Sequence, residues 1–334
     1  SGKAEERELA RSNAPERYRS GAQAYSNKNY VAAARHFANA CLGDHGEACR
    51  RFGDMLRDGK GETKDLTGAY TAYEKSCSLQ SVQGCKRFGS ALFTGSGTIK
   101  NASRSTEAYE KACNLAASKQ SNDGECINLA GWFVTGKREG TPENLAKAEI
   151  YYRKACFEAR EQLSCFMFGN FYDRDTEYRD PIKAFSVYKK SCDERKFTWG
   201  CYQTGRRHHR SIGTPRNLVQ AKRYYESACS QKDENSCTEI GYMHETGWDG
   251  FVEINLNEAR KAYETGCGRG SGFACEQLGR LYESGKLGLY TSRPYATAAG
   301  LYLDACRRNR PGACSSLGNL HRLGLGVDQD QVRA

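Results

Sequence analysis

The sequence predicts an all-α protein, a right-handed α/α solenoid superhelix of eight helix pairs, from three observations. The first is the spacing of the 16 cysteines in this 334-residue chain, which fall in close pairs at 41/49, 77/85, 113/126, 156/165, 192/201, 229/237, 267/275 and 306/314. The leading cysteine advances by 36, 36, 43, 36, 37, 38 and 39 residues, and a period in the thirties marks a helical repeat array. The second is a stripe that ends at each leading cysteine. Four residues before it stands an aromatic (Phe37, Tyr73, Tyr109, Tyr152, Tyr188, Tyr225, Tyr263, Tyr302), and eight before it a small residue, from Ala33 to Ala298. The third is Gly or Ala four residues after every second cysteine: Gly53, Gly89, Ala130, Gly169, Gly205, Gly241, Gly279 and Gly318.

Each element follows from these patterns. Positions i, i+4 and i+8 share one helical face, so small–aromatic–cysteine is the packing stripe of one helix, here helix B. The second cysteine opens helix A, with a large apolar residue three positions on in seven copies and Thr204 in the fifth. A glycine inside a helix costs about 1 kcal/mol relative to alanine, so its recurrence in register implies close backbone contact with a neighbouring helix. Helix A should stop at Gly59, Gly95, Gly136, Gly247, Gly285 and Gly324. A helix pair cannot bury its apolar face alone and must stack on its neighbours.

The ends and insertions break the pattern. Residues 1–13 are charged and expected to fray. Asn13-Ala14-Pro15 then reads as a cap and first turn of a cysteine-free helix reaching about Ser26. The solenoid should occupy residues 14–326 as one domain, and residues 327–334 read as the start of a truncated or disordered next repeat. A polar loop separates Cys113 from Cys126, and longer turns fall at 247–255, with Trp248 and Phe251, and at 286–294, with Leu289 and Tyr290. Their aromatics either form contact points or fold back on the array.

The pattern small-x3-Tyr-x2-Ala-Cys-x7-Cys-x2-Leu-Gly-x2-Tyr-x2-Gly, clearest over residues 69–95 and 259–285, resembles the Sel1-like repeat, a TPR-like helix pair. The paired cysteines resemble the Helicobacter cysteine-rich branch of that family. The resemblance covers residues 29–326. It implies one disulfide per repeat: Cys41–Cys49, Cys77–Cys85, Cys113–Cys126, Cys156–Cys165, Cys192–Cys201, Cys229–Cys237, Cys267–Cys275 and Cys306–Cys314. The residues themselves leave metal binding or electron transfer as the competing use. No Cys-x2-Cys occurs, and no histidine recurs at ligand spacing, which favours bridges, with no metal and no cofactor. Eight structural disulfides point to an oxidising compartment, periplasmic or secreted, with the mitochondrial intermembrane space as the alternative.

Composition narrows the function. Hydrophobic residues make up 38% and aromatics 11%, too aromatic for a disordered chain, and no run approaches the roughly 18 apolar residues of a membrane span. The net charge of +10 is interleaved with acids along the chain, which disfavours nucleic acid and suits an acidic or envelope-associated partner. No Gly-x-Ser-x-Gly, His-Glu-x-x-His or phosphate loop is present. Ser186-Val187-Tyr188-Lys189 matches Ser-x-x-Lys, but its partner motifs are missing and Tyr188 is a stripe position. His208, His244 and His321 replace apolar residues seven positions after the second cysteine, so they read as partly buried, hydrogen-bonded packing residues. His208-His209 lies in the one local basic cluster, Arg206 to Arg210.

Positions one, five and eight after the second cysteine should face the concave groove that A helices line in such solenoids. The candidate binding residues are Arg50, Arg57, Phe93, Phe166, Tyr202, Arg206, Tyr242, Glu245 and Glu283: a basic entry, an aromatic floor and an acidic far wall. The expected function is a monomeric, non-enzymatic scaffold holding a protein segment or peptide. The resemblance implies two alternatives, a peptidoglycan- or penicillin-binding protein with weak β-lactamase activity and an intermembrane-space assembly factor.

Overall fold

The computed structural model describes residues 8–121, 124–136, 144–161, 163–174, 178–287 and 293–329. They fall into two compact units, Ser1–Phe171 and Tyr172–Ala334. Among the described residues both units are helical, without strands. The first holds α1 (Ala14–Ser26), α2 (Tyr30–Leu42), α3 (Gly46–Asp58), α4 (Leu66–Ser78), α5 (Val82–Thr94), α6 (Ala102–Lys119), α7 (Glu125–Thr135) and α8 (Leu145–Arg153), which runs into a π-turn at Lys154–Glu158. α9 (Ser164–Asp173) lies at the boundary. The second holds α10 (Pro181–Arg195), α11 (Thr198–Arg210), α12 (Leu218–Ser230), α13 (Glu234–Thr246), α14 (Leu256–Gly268), α15 (Gly272–Glu283), α16 (Pro294–Arg307) and α17 (Pro311–Leu323). Odd-numbered helices are A and even-numbered helices B, so the expected all-α array of helix pairs is what forms.

In the pairs α1–α2, α3–α4, α5–α6, α7–α8, α11–α12, α13–α14 and α15–α16, the A helix packs most closely on the B helix that follows it. The reason is the glycine. A Cβ built on Gly53, Gly89, Gly205, Gly241 or Gly279 would stand 2.5–3.0 Å from the ring of Tyr73, Tyr109, Tyr225, Tyr263 or Tyr302. The stripe tyrosine of helix B therefore lies flat on the glycine of helix A. The small residue one turn further back lets the backbones close, with the Ala69, Ser105 and Ala221 carbonyls 3.1–3.2 Å from the same points. The stripe tyrosines of the five B helices from Tyr152 to Tyr302 are almost wholly buried, as are Tyr73 and Phe37.

All eight predicted cysteine pairs are bridged, with Cα–Cα distances of 4.3–4.9 Å and no free cysteine among the described residues. Each bridge ties the end of a B helix to the start of the next A helix, the less closely packed of the two kinds of joint. Helices B begin at a side-chain cap: Asn29, Asp65, Asn101, Asn144, Asp180, Asn217 and Asn255 each accept the N–H three residues on. Helices A end in the left-handed region at Gly59, Gly95, Gly136, Gly247 and Gly324, φ +58° to +72° apart from Gly95 at +75°, and Ser211 (φ +57°) takes that place after α11.

Several local expectations change. Residues 8–12, expected to fray, are helical, and Arg11 Nε donates to Asp44 Oδ2 (2.8 Å). Asn13 is consequently in helical conformation and its side chain caps nothing. Helix α7, after the long Cys113–Cys126 loop, begins at Gly124 with no side chain of its own to cap it. The buried Glu161 does so instead, its two oxygens accepting the Cys126 and Ile127 N–H groups at 2.8 Å. Trp248 folds back on the array and is buried, so it is no free contact point. Leu289 and Tyr290 lie outside the described residues. Of the expected next repeat, residues 327–329 return to α17, with Gln329 Nε2 donating to the Arg322 carbonyl (3.1 Å).

Candidate functional site

The nine candidate residues separate into two groups. In the first unit, the basic entry is an ion-pair network centred on Asp54. Arg50 pairs with Glu47 and Asp54, Arg57 with Asp58 (2.7 Å) and Asp54 (3.2 Å), while Arg87 lies 3.1 Å from Asp54. Asp54 also accepts from the Tyr73 hydroxyl (2.9 Å). These charges hold one another and the stripe tyrosine. Phe93 and Phe166 are half-buried rather than exposed.

In the second unit, Tyr202, Arg206 and Arg210 of α11 lie near Glu239 of α13. Tyr202 packs its ring on Trp199 (5.3 Å between centroids) and Tyr225 (6.0 Å). Tyr242, one turn after Glu239 on α13, is 45% exposed. Arg206 makes no ion pair among the described residues. Burial pushes the Glu239 carboxyl above its ordinary range, with Arg210 and Arg206 pulling it back down. Burial likewise raises the Tyr202 hydroxyl. One side is closed by His209, whose ring stacks on Trp248 at 4.2 Å. Beneath lie three polar atoms without a hydrogen-bond partner, Tyr225 Oη, His209 Nδ1 and Trp248 Nε1.

The expected acidic wall is structural in part. Glu245 accepts from the Tyr263 hydroxyl (2.6 Å) and Glu283 from the Tyr302 hydroxyl. Asp173, in the same register, accepts from Tyr188 (3.4 Å). The carboxylate eight residues after the second cysteine is thus the partner of the next stripe tyrosine, a pairing the recurrence Asp173, Glu245, Glu283 could have revealed. Sequence reasoning also missed Glu239, which does not recur, and placed His209 only within the basic cluster Arg206 to Arg210.

The Ser-x-x-Lys match dissolves: Tyr188 is wholly buried and Lys189 is bound to Asp193 (2.5 Å). Among the described residues, no three His, Cys, Asp or Glu side chains are grouped as metal ligands, and no helix is long and apolar enough to cross a membrane. Of the three substituting histidines, His321 Nδ1 lies 3.2 Å from the Asp328 carbonyl oxygen, whereas Nδ1 of His208 and of His244 has no partner. His208 is instead held among rings, edge-on to Phe185 (5.0 Å) and stacked on Tyr224 (5.9 Å).

Burial depresses the pKa of His208, His209 and His244, helped by Lys189, by Arg210 and Arg216, and by Lys222 respectively. A histidine with a depressed folded pKa contributes stability that is fully present above its unfolded value of about 6.5 and is lost as pH falls through the window below it. The raised carboxyls of Glu239 and Asp233 act in the opposite sense. The histidine contribution is isolated by comparison: the fall in melting temperature between pH 7.5 and pH 5.5 should be smaller in His208→Leu/His244→Leu than in the wild type. Equal falls would show that these rings do not titrate on unfolding.

Comparison with protein-family profiles matches the Sel1 repeat over residues 46–81, 84–116, 126–156, 200–233, 235–270 and 311–334, more than half of the chain. In that frame a repeat is helix A followed by helix B, so each disulfide joins consecutive repeats. A search of curated proteins gave no match. Among solved structures, the chain is similar to a Sel1 repeat protein from Oxalobacter formigenes (17% identity, TM-score 0.67, covering 90% of this chain and 84% of that one). It is also similar to c5321, a protective antigen of uropathogenic Escherichia coli with an SLR fold (21% identity, TM-score 0.63, covering 96% and 67%). At these identities the likeness concerns the fold. The repeated match, the shared fold and the glycine–tyrosine register together place this chain in the Sel1 repeat family.

Proposed function

We propose that the chain is a non-enzymatic binding scaffold outside the cytoplasm, holding an extended segment of a partner protein on the α11–α13 surface. Sel1 repeats are commonly protein-interaction scaffolds, and eight disulfides suit an oxidising compartment such as the periplasm or the cell exterior. The observation that carries the reading is an Arg206 without an ion pair beside the half-buried Tyr202 on α11, with the exposed Tyr242 on the next A helix, α13. Aromatic and arginine side chains are the usual anchors of interfaces, because they bury large area and still form directed hydrogen bonds. Arg206 and Arg210 suit a partner segment carrying a carboxylate, while Tyr202 and Tyr242 offer rings to an apolar neighbour.

The test is selection of peptides from a displayed random library on the oxidised protein, followed by affinity measurement on Arg206→Glu/Tyr242→Ala. Selected peptides should lose at least about tenfold in affinity, or roughly 1.4 kcal/mol, with the melting temperature unchanged. Peptides that bind wild type and variant alike would overturn the assignment of the site.

A further inference from the structure

A second depression, unrelated to the peptide surface, opens between the B helices α10 and α12 of the second unit, with a volume of about 490 Å³. Its rim carries Lys189, Lys196 and Arg223, with Gln220 beside them, and His208 forms part of its lining. The single carboxylate present, Asp193, is already engaged: Lys189 Nζ donates to it at 2.5 Å and the Tyr224 hydroxyl at 3.0 Å. Lys196 and Arg223 have no ion pair among the described residues. What remains is two uncompensated cations and an amide, all able to donate and facing one volume.

His208 supplies an independent observation. It is only 8% exposed, and its Nδ1 has no hydrogen-bond partner. The Pro215 carbonyl engages the ring. The same register holds Leu56, Leu92, Phe133 and Tyr172 in other repeats, so an apolar floor fits this position well. Here the lining includes an imidazole, its Nδ1 closed off from solvent, beside a group of cations. The bridged helix ends fix the surroundings, since Lys196 lies inside the loop that the Cys192–Cys201 disulfide closes between α10 and α11.

We infer that this depression binds a small phosphate monoester, its dianion between Lys196 and Arg223 and its organic remainder in the open part of the cavity. Lysine suits phosphate as a point charge, arginine as a two-pronged donor, and a dianion balances the two free cations. A donor-only lining with its one acid engaged selects an acceptor-rich ligand.

The experiment is calorimetric titration of the oxidised full chain with inorganic phosphate, glycerol phosphate and phosphoserine, each in two buffers of different ionisation enthalpy near pH 7. Saturable binding is expected, the two buffers correcting the heat for the proton that each phosphate probe itself loses on binding as the dianion, and the tightest of the three probes identifies the kind of ester preferred. Lys196→Gln/Arg223→Gln should weaken binding at least tenfold, whereas Lys261→Gln, on α14 away from the depression, should not. His208→Leu, which restores the apolar residue of other repeats, should retain both the fold and the binding. Absence of saturable heat with all three probes, or equal affinity in Lys196→Gln/Arg223→Gln, would overturn the assignment. Failure of peptide selection on the α11–α13 surface would leave this result untouched, because no residue is shared between the two tests.

Discussion

Reduction of the disulfides is expected to unfold most of the chain at temperatures where the oxidised protein is fully folded. The bridges close loops with sequence separations of 8, 9 or 13 residues. In the chain-entropy view each contributes roughly 2.5 kcal/mol by restricting the unfolded chain. Eight such contributions exceed the 5–15 kcal/mol by which an ordinary domain is stable. Their placement sharpens the effect. The A-to-B joint within a repeat is held by tyrosine on glycine, whereas the B-to-A joint, with fewer contacts, is the one that carries the sulfur. In a linear array, stability is nearly a sum of repeat and interface terms, so weakening every second interface removes cooperativity along the stack. Helical circular dichroism with and without a phosphine reductant should show a fall in melting temperature of more than about 20 °C and a broadened transition. A single double variant, Cys267→Ser/Cys275→Ser, should cost about 2–3 kcal/mol in denaturant unfolding. A reduced chain melting within a few degrees of the oxidised one would show that helix packing alone holds the repeats together.

Gly241→Ala is the second change expected to have a large effect, and its sign runs against helix propensity. Alanine in a helix interior gains about 1 kcal/mol over glycine. At this position, however, the new methyl group would stand 2.5 Å from Cδ1 and 2.6 Å from Cε1 of Tyr263. That ring is wholly buried, and its hydroxyl is held by Glu245 at 2.6 Å, so it has nowhere to go. The helices must separate, at a cost of about 1–3 kcal/mol for overpacking, and the net result is destabilisation. Gly131→Ala, one residue along, meets nothing within 4 Å and should stabilise by about 0.5–1 kcal/mol. Urea unfolding of the two variants beside wild type decides the matter. Two shifts of the same sign would mean that the glycines serve propensity or flexibility and not the tyrosine contact.

The fold was legible because its causes are local and repeated. Eight copies of cysteine, aromatic, small residue and glycine make each position a vote on the same helix face, and the tyrosine–glycine contact spans only about 20 residues. Disulfide partners were legible for the same reason, since each pair lies within one turn between adjacent helices. The binding surface was only partly legible. Tyr202 and Arg206 lie together on α11, but Glu245 and Glu283, chosen because charge at a repeating position looked free, are hydrogen-bonded to buried tyrosines.

By itself, then, the sequence determined the element order, the register of the helix pairs and the covalent bridges, all set by interactions between neighbours along the chain. Tertiary structure alone decided which charges remain available. Whether Arg57 is spent on Asp54 and Asp58 or Arg206 is left unpaired depends on distances between side chains on successive turns and helices. The same holds for Trp248, which the insertion could have exposed but which instead stacks on His209. It holds again for the depression beside His208, formed by residues of three helices and a turn that no single repeat contains. Periodicity encodes what every repeat shares, whereas a site arises where one repeat departs from the rest, and only packing shows what meets there.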